Sequence, residues 1–370
     1  MLRRSLLRLP PLPSNARAKF CTSSTKFANR AIVYTETGNP ATVLTALTYP
    51  SLPPPPPNSL NIRIRLAPIN PADINVIEGV YPAKPALTGS LSPGQELTKP
   101  VYVGGNEALA EILQVGSGVE GLKKGDWVIM AKQQAGTWSS ARTVDASDVI
   151  KLPADTLSEV NAATITVNPP TAYNMLRDFV ELGEGDWVLQ NGANSAVGQA
   201  VIQIAASRGL KTINFVRNRP DIDALKKQLS DLGATHVLTY DDLSDKALSR
   251  TVKQWTEDRP IRLMLNCVGG KPTAQMTRFL GTDAHLVSYG AMSKQPLALP
   301  TSAFIFKNLV AHGFWQSRWY DTHSRAEREA LMHALAALKL KEPEHEIVTV
   351  LGWMSDVEAK EKNQKTRDSA

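Results

Sequence analysis

After about Leu157 the chain changes rhythm, and short apolar runs begin to alternate with stretches of helical period. Asp186–Gln190 reads as a strand, Val197–Ser207 as a helix and Lys211–Val216 as a second strand. A helix over Asp221–Leu232, a strand at His236–Tyr240, a helix near Lys246–Trp255 and a strand at Arg262–Val268 follow. Two more strands are expected near His285–Tyr289 and Leu309–Phe314. Strands separated by helices of this length predict βαβ units and a parallel sheet covered on both faces.

The chain before that point reads differently. From Ala31 to about Pro153 it is expected to be β structure, with strands at Ala31–Tyr34, Asn61–Leu66, Glu107–Val115 and Trp127–Ala131. Asn61–Leu66 alternates apolar and charged residues, the period of a half-buried strand. Gly-rich turns such as Gly116-Ser-Gly118 punctuate these runs, so a small sandwich or barrel is predicted. Pro53–Pro57 fits a stiff extended connector, or else a recognition motif for an aromatic groove. A last helix starts at Ser324-Arg-Ala-Glu327, which reads as a capping box.

Charge and cysteine content remove several function classes. The 41 Lys and Arg against 35 Asp and Glu give a net charge of +6. Five of those cations (Arg3, Arg4, Arg8, Arg17 and Lys19) lie in the first 25 residues, and the first acid is Glu36. An Arg- and Ser-rich, acid-free leader with Leu2, Leu6, Leu7 and Leu9 resembles a mitochondrial import signal. Without it the chain is close to neutral, which argues against a nucleic-acid partner. No apolar run approaches the ~18 residues of a membrane span. Cys21 and Cys267 are the two cysteines, and no C-x-x-C, H-E-x-x-H or G-x-S-x-G occurs. No metal site and no serine nucleophile are therefore expected.

The first turn of the α/β half is Asn191-Gly-Ala-Asn-Ser-Ala-Val-Gly198. Small residues between strand and helix let the phosphates of a dinucleotide approach the backbone at a helix N-terminus, although a tight structural turn would use them too. Arg217 and Arg219 follow about 20 residues later, where such folds contact the adenosine ribose. Guanidinium groups there match a 2′-phosphate and so favour NADPH over NADH; solvated charges at a helix start are the alternative.

Further motifs carry a family resemblance. Gly116-Ser-Gly-Val and Gly125-Asp-Trp-Val resemble the catalytic domain of the medium-chain dehydrogenase/reductase superfamily, with Gly105-Asn106-Glu107 where zinc-dependent members have Gly-His-Glu. Asn70-Pro-Ala-Asp-Ile-Asn75, Gly79-Val-Tyr-Pro82, Val103–Glu107, Val167-Asn-Pro169, Asn266–Gly270, Tyr289–Met292 and Gly313–Ser317 come in the order of the mitochondrial trans-2-enoyl-thioester reductases. The implied fold is α/β: a Rossmann-type doubly wound parallel sheet plus a GroES-like, partly open β-barrel catalytic domain. Residues 1–25 would be a transit peptide, 26–158 the first part of the catalytic domain, 159–317 the NADPH-binding domain, and 318–370 a return to the catalytic domain.

The resemblance also implies site roles. Tyr81 matches the proton donor, and Asn168 a cofactor contact. Asn194, Ser195, Ala196 and Val197 match the pyrophosphate turn, and Arg217, Asn218 and Arg219 the 2′-phosphate site. Tyr289, Gly290, Ala291 and Met292, with Phe314, Trp315, Gln316 and Ser317, match segments lining the nicotinamide and acyl pocket. The implied activity is NADPH-dependent reduction of trans-2-enoyl thioesters, carried on acyl-carrier protein or CoA, in the fatty-acid synthesis of the mitochondrial matrix. A homodimer without metal is implied. A zinc-free quinone or enone reductase, or a catalytically impaired binding protein of the same fold, is the competing expectation. After Trp353 the chain is polar where the family has a closing apolar strand, which predicts a less stable form.

Overall fold

The computed structural model describes residues 29–348 of the 370-residue chain. The leader, Cys21 and the polar tail after Trp353 lie outside the described residues.

Nine strands build the N-terminal half: β1 (Asn29–Tyr34), β2 (Thr45–Tyr49), β3 (Ser59–Leu66), β4 (Leu87–Thr88), β5 (Val101–Val103), β6 (Leu109–Val115), β7 (Trp127–Met130), β8 (Ala141–Asp145) and β9 (Val149–Lys151). They form two antiparallel sheets, ordered β2-β1-β5-β4 and β8-β3-β6-β7-β9, bridged by an isolated pair at Ala31 and Ser139. The alternation in β3 sets its register. Leu60 and Ile62 are buried against Ile112, Val128 and Val149, while Arg63 and Arg65 both reach Glu111 on β6, at 2.9 and 2.7 Å. A shift of one residue would exchange these two faces.

Six strands follow: β10 (Trp187–Asn191), β11 (Lys211–Val216), β12 (His236–Thr239), β13 (Ile261–Asn266), β14 (Leu280–Ser288) and β15 (Val310–Gly313). All pair in parallel, in the order β12-β11-β10-β13-β14-β15. That is the order of a dinucleotide-binding sheet, whose ligand crevice opens between its first and fourth strands, here β10 and β13. Every residue of β10 is buried, as expected of a strand with helices on both faces.

Two expectations need correction. The N-terminal half is not purely β, because Pro71–Glu78 is a helix. Pro71 suits its first position, the Asp73 carboxylate accepts the Asn70 backbone N–H at 2.7 Å, and Gly79 ends it with φ 79°. The strand expected over Arg262–Val268 stops at Asn266. There the Asn266 side chain accepts the backbone N–H groups of Val268 and Gly269, at 3.1 and 3.0 Å, and turns the chain out of the sheet. The capping box at Ser324 is present: Glu327 accepts the Ser324 N–H at 2.8 Å, and Ser324 Oγ accepts the Glu327 N–H at 3.3 Å. The helix it starts, Arg325–Ala337, packs Leu331, Met332 and Leu335 against Leu109, Ile129 and Ile150 of the barrel.

Candidate active site

Tyr81 lies just beyond the helix Pro71–Glu78. The N–H groups of Val80 and Tyr81 both donate to the Asn75 carbonyl, at 3.0 and 3.2 Å, which turns the chain sharply. The turn carries the Tyr81 ring to Trp315, which follows β15 in the α/β half. The two rings meet edge to face, with centroids 5.9 Å apart and planes at 81°. The Trp315 indole N–H donates to the Tyr81 hydroxyl at 2.8 Å. An indole can only donate, so the phenol oxygen is the acceptor and its own proton stays available for another partner. Burial pushes the Tyr81 hydroxyl above its ordinary range, the Trp315 hydrogen bond pulls it part of the way back, and nearby Asp73 pushes it up again. Tyr81 is therefore a protonated phenol at neutral pH.

Behind this pair lies a buried polar chain that sequence reasoning did not assemble. Asn168 Nδ2 donates to Asn70 Oδ1 at 3.1 Å, and Asn70 Nδ2 donates to Glu107 Oε1 at 2.8 Å. Glu107 Oε2 accepts the N–H and hydroxyl of Thr166 at 3.2 and 2.9 Å. Glu107 is 1% exposed, and burial pushes its carboxyl up to about 7 against these hydrogen bonds. Asp73 is also buried and is pushed up to about 6. Asn106 donates to Gln133 at 3.0 Å and accepts the Gln134 N–H at 2.6 Å. No cluster of three or more His, Cys, Asp or Glu able to hold a metal occurs among the described residues.

The turn after β10 has the geometry of an anion cradle. Gly192 takes φ 58°, and a Cβ there would lie 2.5 Å from Cys267 Sγ. Gly198 packs so closely that a Cβ would come within 2.6 Å of the Ala193 backbone. Ser195 caps the helix Ala196–Ser207 by accepting the Gly198 N–H at 3.1 Å, and the first turn of that helix carries no acid. Val197 faces the core below, and Gln199 donates to the Asn194 carbonyl at 2.9 Å. Asn191, Asn266, Thr273 and Ser288 tie the C-terminal ends of β10, β13 and β14 together through hydrogen bonds of 2.8–3.1 Å. Tyr289 is half-buried with its hydroxyl buried beside Cys267 and Ser195, and that burial pushes the hydroxyl well up. Gly290 packs on Cys267, while Ala291 and Met292 are exposed.

Arg217 follows β11 directly and is exposed, and neither its side chain nor that of Arg219 has an ion-pair partner among the described residues. Arg217 is near enough to Tyr240 to oppose the upward push of burial on that phenol, which stands at about 12. Tyr240 in turn accepts the Gly192 N–H at 3.0 Å. The arginine, Tyr240 and the glycine turn are thus one neighbourhood, and Tyr240 is a member that sequence reasoning missed. Asn218, between Arg217 and Arg219, donates its amide to Asp241 at 2.7 Å. Phe314 meets Phe179 edge-on, Gln316 accepts from Asn174 at 3.1 Å, and Ser317 reaches Gln133 at 3.5 Å.

A GroES-like barrel joined to a dinucleotide-binding sheet defines a medium-chain dehydrogenase/reductase. In accord, the alcohol dehydrogenase GroES-like domain family matches residues 56–154 and the zinc-binding dehydrogenase family matches residues 196–336. The mitochondrial enoyl-acyl-carrier-protein reductase of Yarrowia lipolytica is 46% identical over 302 residues, which is 82% of this chain and 77% of the relative. Among solved structures, the mitochondrial 2-enoyl thioester reductase heterodimer of Candida tropicalis superposes with a TM-score of 0.83 at 35% identity, over 92% of this chain and 97% of that one. The complex of Etr1p with NADP and crotonyl-CoA superposes with the same score, identity and coverage. The chain belongs to the mitochondrial enoyl-acyl-carrier-protein reductases.

Proposed function

We propose that this protein reduces trans-2-enoyl thioesters to saturated acyl thioesters with NADPH, in mitochondrial fatty-acid synthesis. The observation that carries the mechanism is the 2.8 Å hydrogen bond from Trp315 to Tyr81, which occupies the phenol oxygen and leaves its proton to be given away. Bound NADPH supplies a hydride for the β-carbon of the substrate.

The residues present fit that cofactor. Gly192 makes the sharp turn at φ 58°, Gly198 lets the helix start pack closely on the strand end, and the amides of the helix Ala196–Ser207 face an anion favourably. Arg217 and Arg219, without ion-pair partners among the described residues, suit a 2′-phosphate. Asn168 and the Tyr289–Met292 and Phe314–Ser317 segments lie toward the nicotinamide and acyl group in this reading.

Addition at the β-carbon leaves an enolate that must be protonated at the α-carbon. Tyr81 gives up its proton there, and the Trp315 N–H then faces a phenolate, a charge-assisted bond stronger than the neutral one it replaces. The gain arises only as the proton leaves, which is the condition for lowering a barrier.

A homodimer is part of the proposal. β15 is an edge strand with exposed Val310, and the preceding helix Thr301–Lys307 exposes Phe304, Ile305 and Phe306. An open edge beside an apolar patch is suited to a second copy of the same sheet. No helix among the described residues is long and apolar enough to cross a membrane. The Arg-rich first 25 residues fit an import signal to the matrix.

The test is cofactor oxidation on addition of crotonyl-CoA to the purified protein. Consumption of NADPH with one saturated thioester formed per NADPH is expected, with NADH a poor substitute; no consumption, or equal use of NADH, contradicts the reading.

A further inference from the structure

We infer that Glu107 decides which end of the Asn168 amide, acceptor or donor, is turned to the cofactor, and that Asn70 transmits the choice. The inference rests on the reading of Asn168 as a cofactor contact and adds a positioning residue to it.

The argument is one of polarity. Glu107 takes three hydrogen bonds, one from Asn70 Nδ2 and two from Thr166, and in its ionised form the carboxylate can only accept. One of those donors is the backbone N–H of Thr166, whose direction cannot be reversed. Asn70 must therefore present its NH2 group to Glu107 and its carbonyl to the other side. That carbonyl accepts from Asn168 Nδ2 at 3.1 Å. Asn168 has then spent its donor inward, and its own Oδ1, which takes no hydrogen bond from the described residues, is left as an acceptor. An acceptor at this point suits the hydroxyl or carboxamide N–H groups of a nicotinamide nucleoside. Each link is buried or half-buried, where a mismatched pair of like dipoles is costly. The links lie 37 and 98 residues apart in the chain.

A glutamine at position 107 should reverse the chain. Its oxygen must stay on Thr166, so its NH2 group would face Asn70. Asn70 would turn over to accept it and present NH2 to Asn168, which would turn over in its turn and offer NH2 to the cofactor. The Glu107→Gln variant therefore loses an acceptor without losing volume. An aspartate at position 168 should repair this, because one oxygen takes the Asn70 NH2 and the other faces the cofactor. In the parent protein the same Asn168→Asp change sets a carboxylate against the Asn70 carbonyl and is harmful.

The experiment measures NADPH dissociation constants by fluorescence titration for the parent, Glu107→Gln, Asn168→Asp, the double variant and Asn168→Ala, with melting temperatures alongside. The expected result is about tenfold weaker binding in each of the two single Gln and Asp variants, the size of one lost hydrogen bond to a buried polar group, and recovery to within about threefold in the double variant. A merely structural role for Glu107 would make the two losses add. Parent-like binding by a folded Glu107→Gln variant, or additive losses, overturns the inference. If Asn168→Ala binds NADPH as the parent does, the placement of Asn168 at the cofactor is wrong and the inference falls with it. If Asn168→Ala weakens binding and Glu107→Gln does not, only the relay is wrong. Should Glu107→Gln fail to fold, Asn70→Ala carries the test, with binding weakened severalfold if Asn70 transmits the choice and unchanged if it does not.

Discussion

At the scale of single residues, the site is defined by which polar atoms are already engaged. Tyr81 and Trp315 are 234 residues apart and were each marked by their motifs, yet nothing in either motif says that one indole serves one phenol. The arginines are the opposite case. Their place after β11 was readable from chain distance alone, because the βαβ unit holds the second strand end close to the first turn. If Arg217 and Arg219 hold the 2′-phosphate as proposed, replacing both with alanine removes charge-assisted bonds worth roughly 1.5–3 kcal/mol each. The KM for NADPH should rise at least tenfold in steady-state assays while the KM for NADH barely moves; a parallel rise in both would place these side chains elsewhere. The Glu107, Asn70 and Asn168 chain was illegible because each contact joins distant segments and depends on burial that only the folded structure creates.

At the scale of elements, the parallel sheet was the most legible part. Strands such as β10, and β11 after its exposed first residue Lys211, are buried runs of apolar or neutral residues, and intervening helices repeat at helical period. The helix Pro71–Glu78 is hard to read from the chain, although its proline, acid and closing glycine are helix signals, because strand-like runs flank it on both sides. The glycine turn makes a sharper claim. With only 2.6 Å between a new Cβ and the Ala193 backbone, Gly198→Val must displace the helix start from the strand end. Weakened NADPH binding, by about tenfold or more, and a lower melting temperature are expected together. Unchanged binding in that variant would show that the turn is not the phosphate cradle. At the other end of the chain, Ser324→Ala removes a helix cap and should cost about 1 kcal/mol in denaturant unfolding, with activity retained.

For the whole molecule, the two buried carboxyls set a pH signature. Asp73 and Glu107 are raised by burial to about 6 and about 7, above the values of the unfolded chain. The native state then binds more protons than the unfolded state between about pH 4 and those values, so this contribution to stability falls as pH rises through the window. Measured against the parent, an Asp73→Asn variant should gain relative stability from about pH 4 to pH 6 in thermal melts. A flat difference across that range would mean the carboxyl titrates normally. The exposed face around Phe304, Ile305 and Phe306 bears on assembly. Ile305→Asp should shift sedimentation from dimer to monomer, and a monomeric parent would contradict the proposed pairing of β15 edges.

The most direct measurement of the central claim is the single-turnover rate of crotonyl-CoA reduction by NADPH in the parent and in Tyr81→Phe, with NADPH binding measured on both. Loss of a positioned proton donor predicts a rate lower by about 10²–10⁴-fold with cofactor affinity preserved. A phenylalanine variant that forms butyryl-CoA as fast as the parent would show that the proton comes from elsewhere.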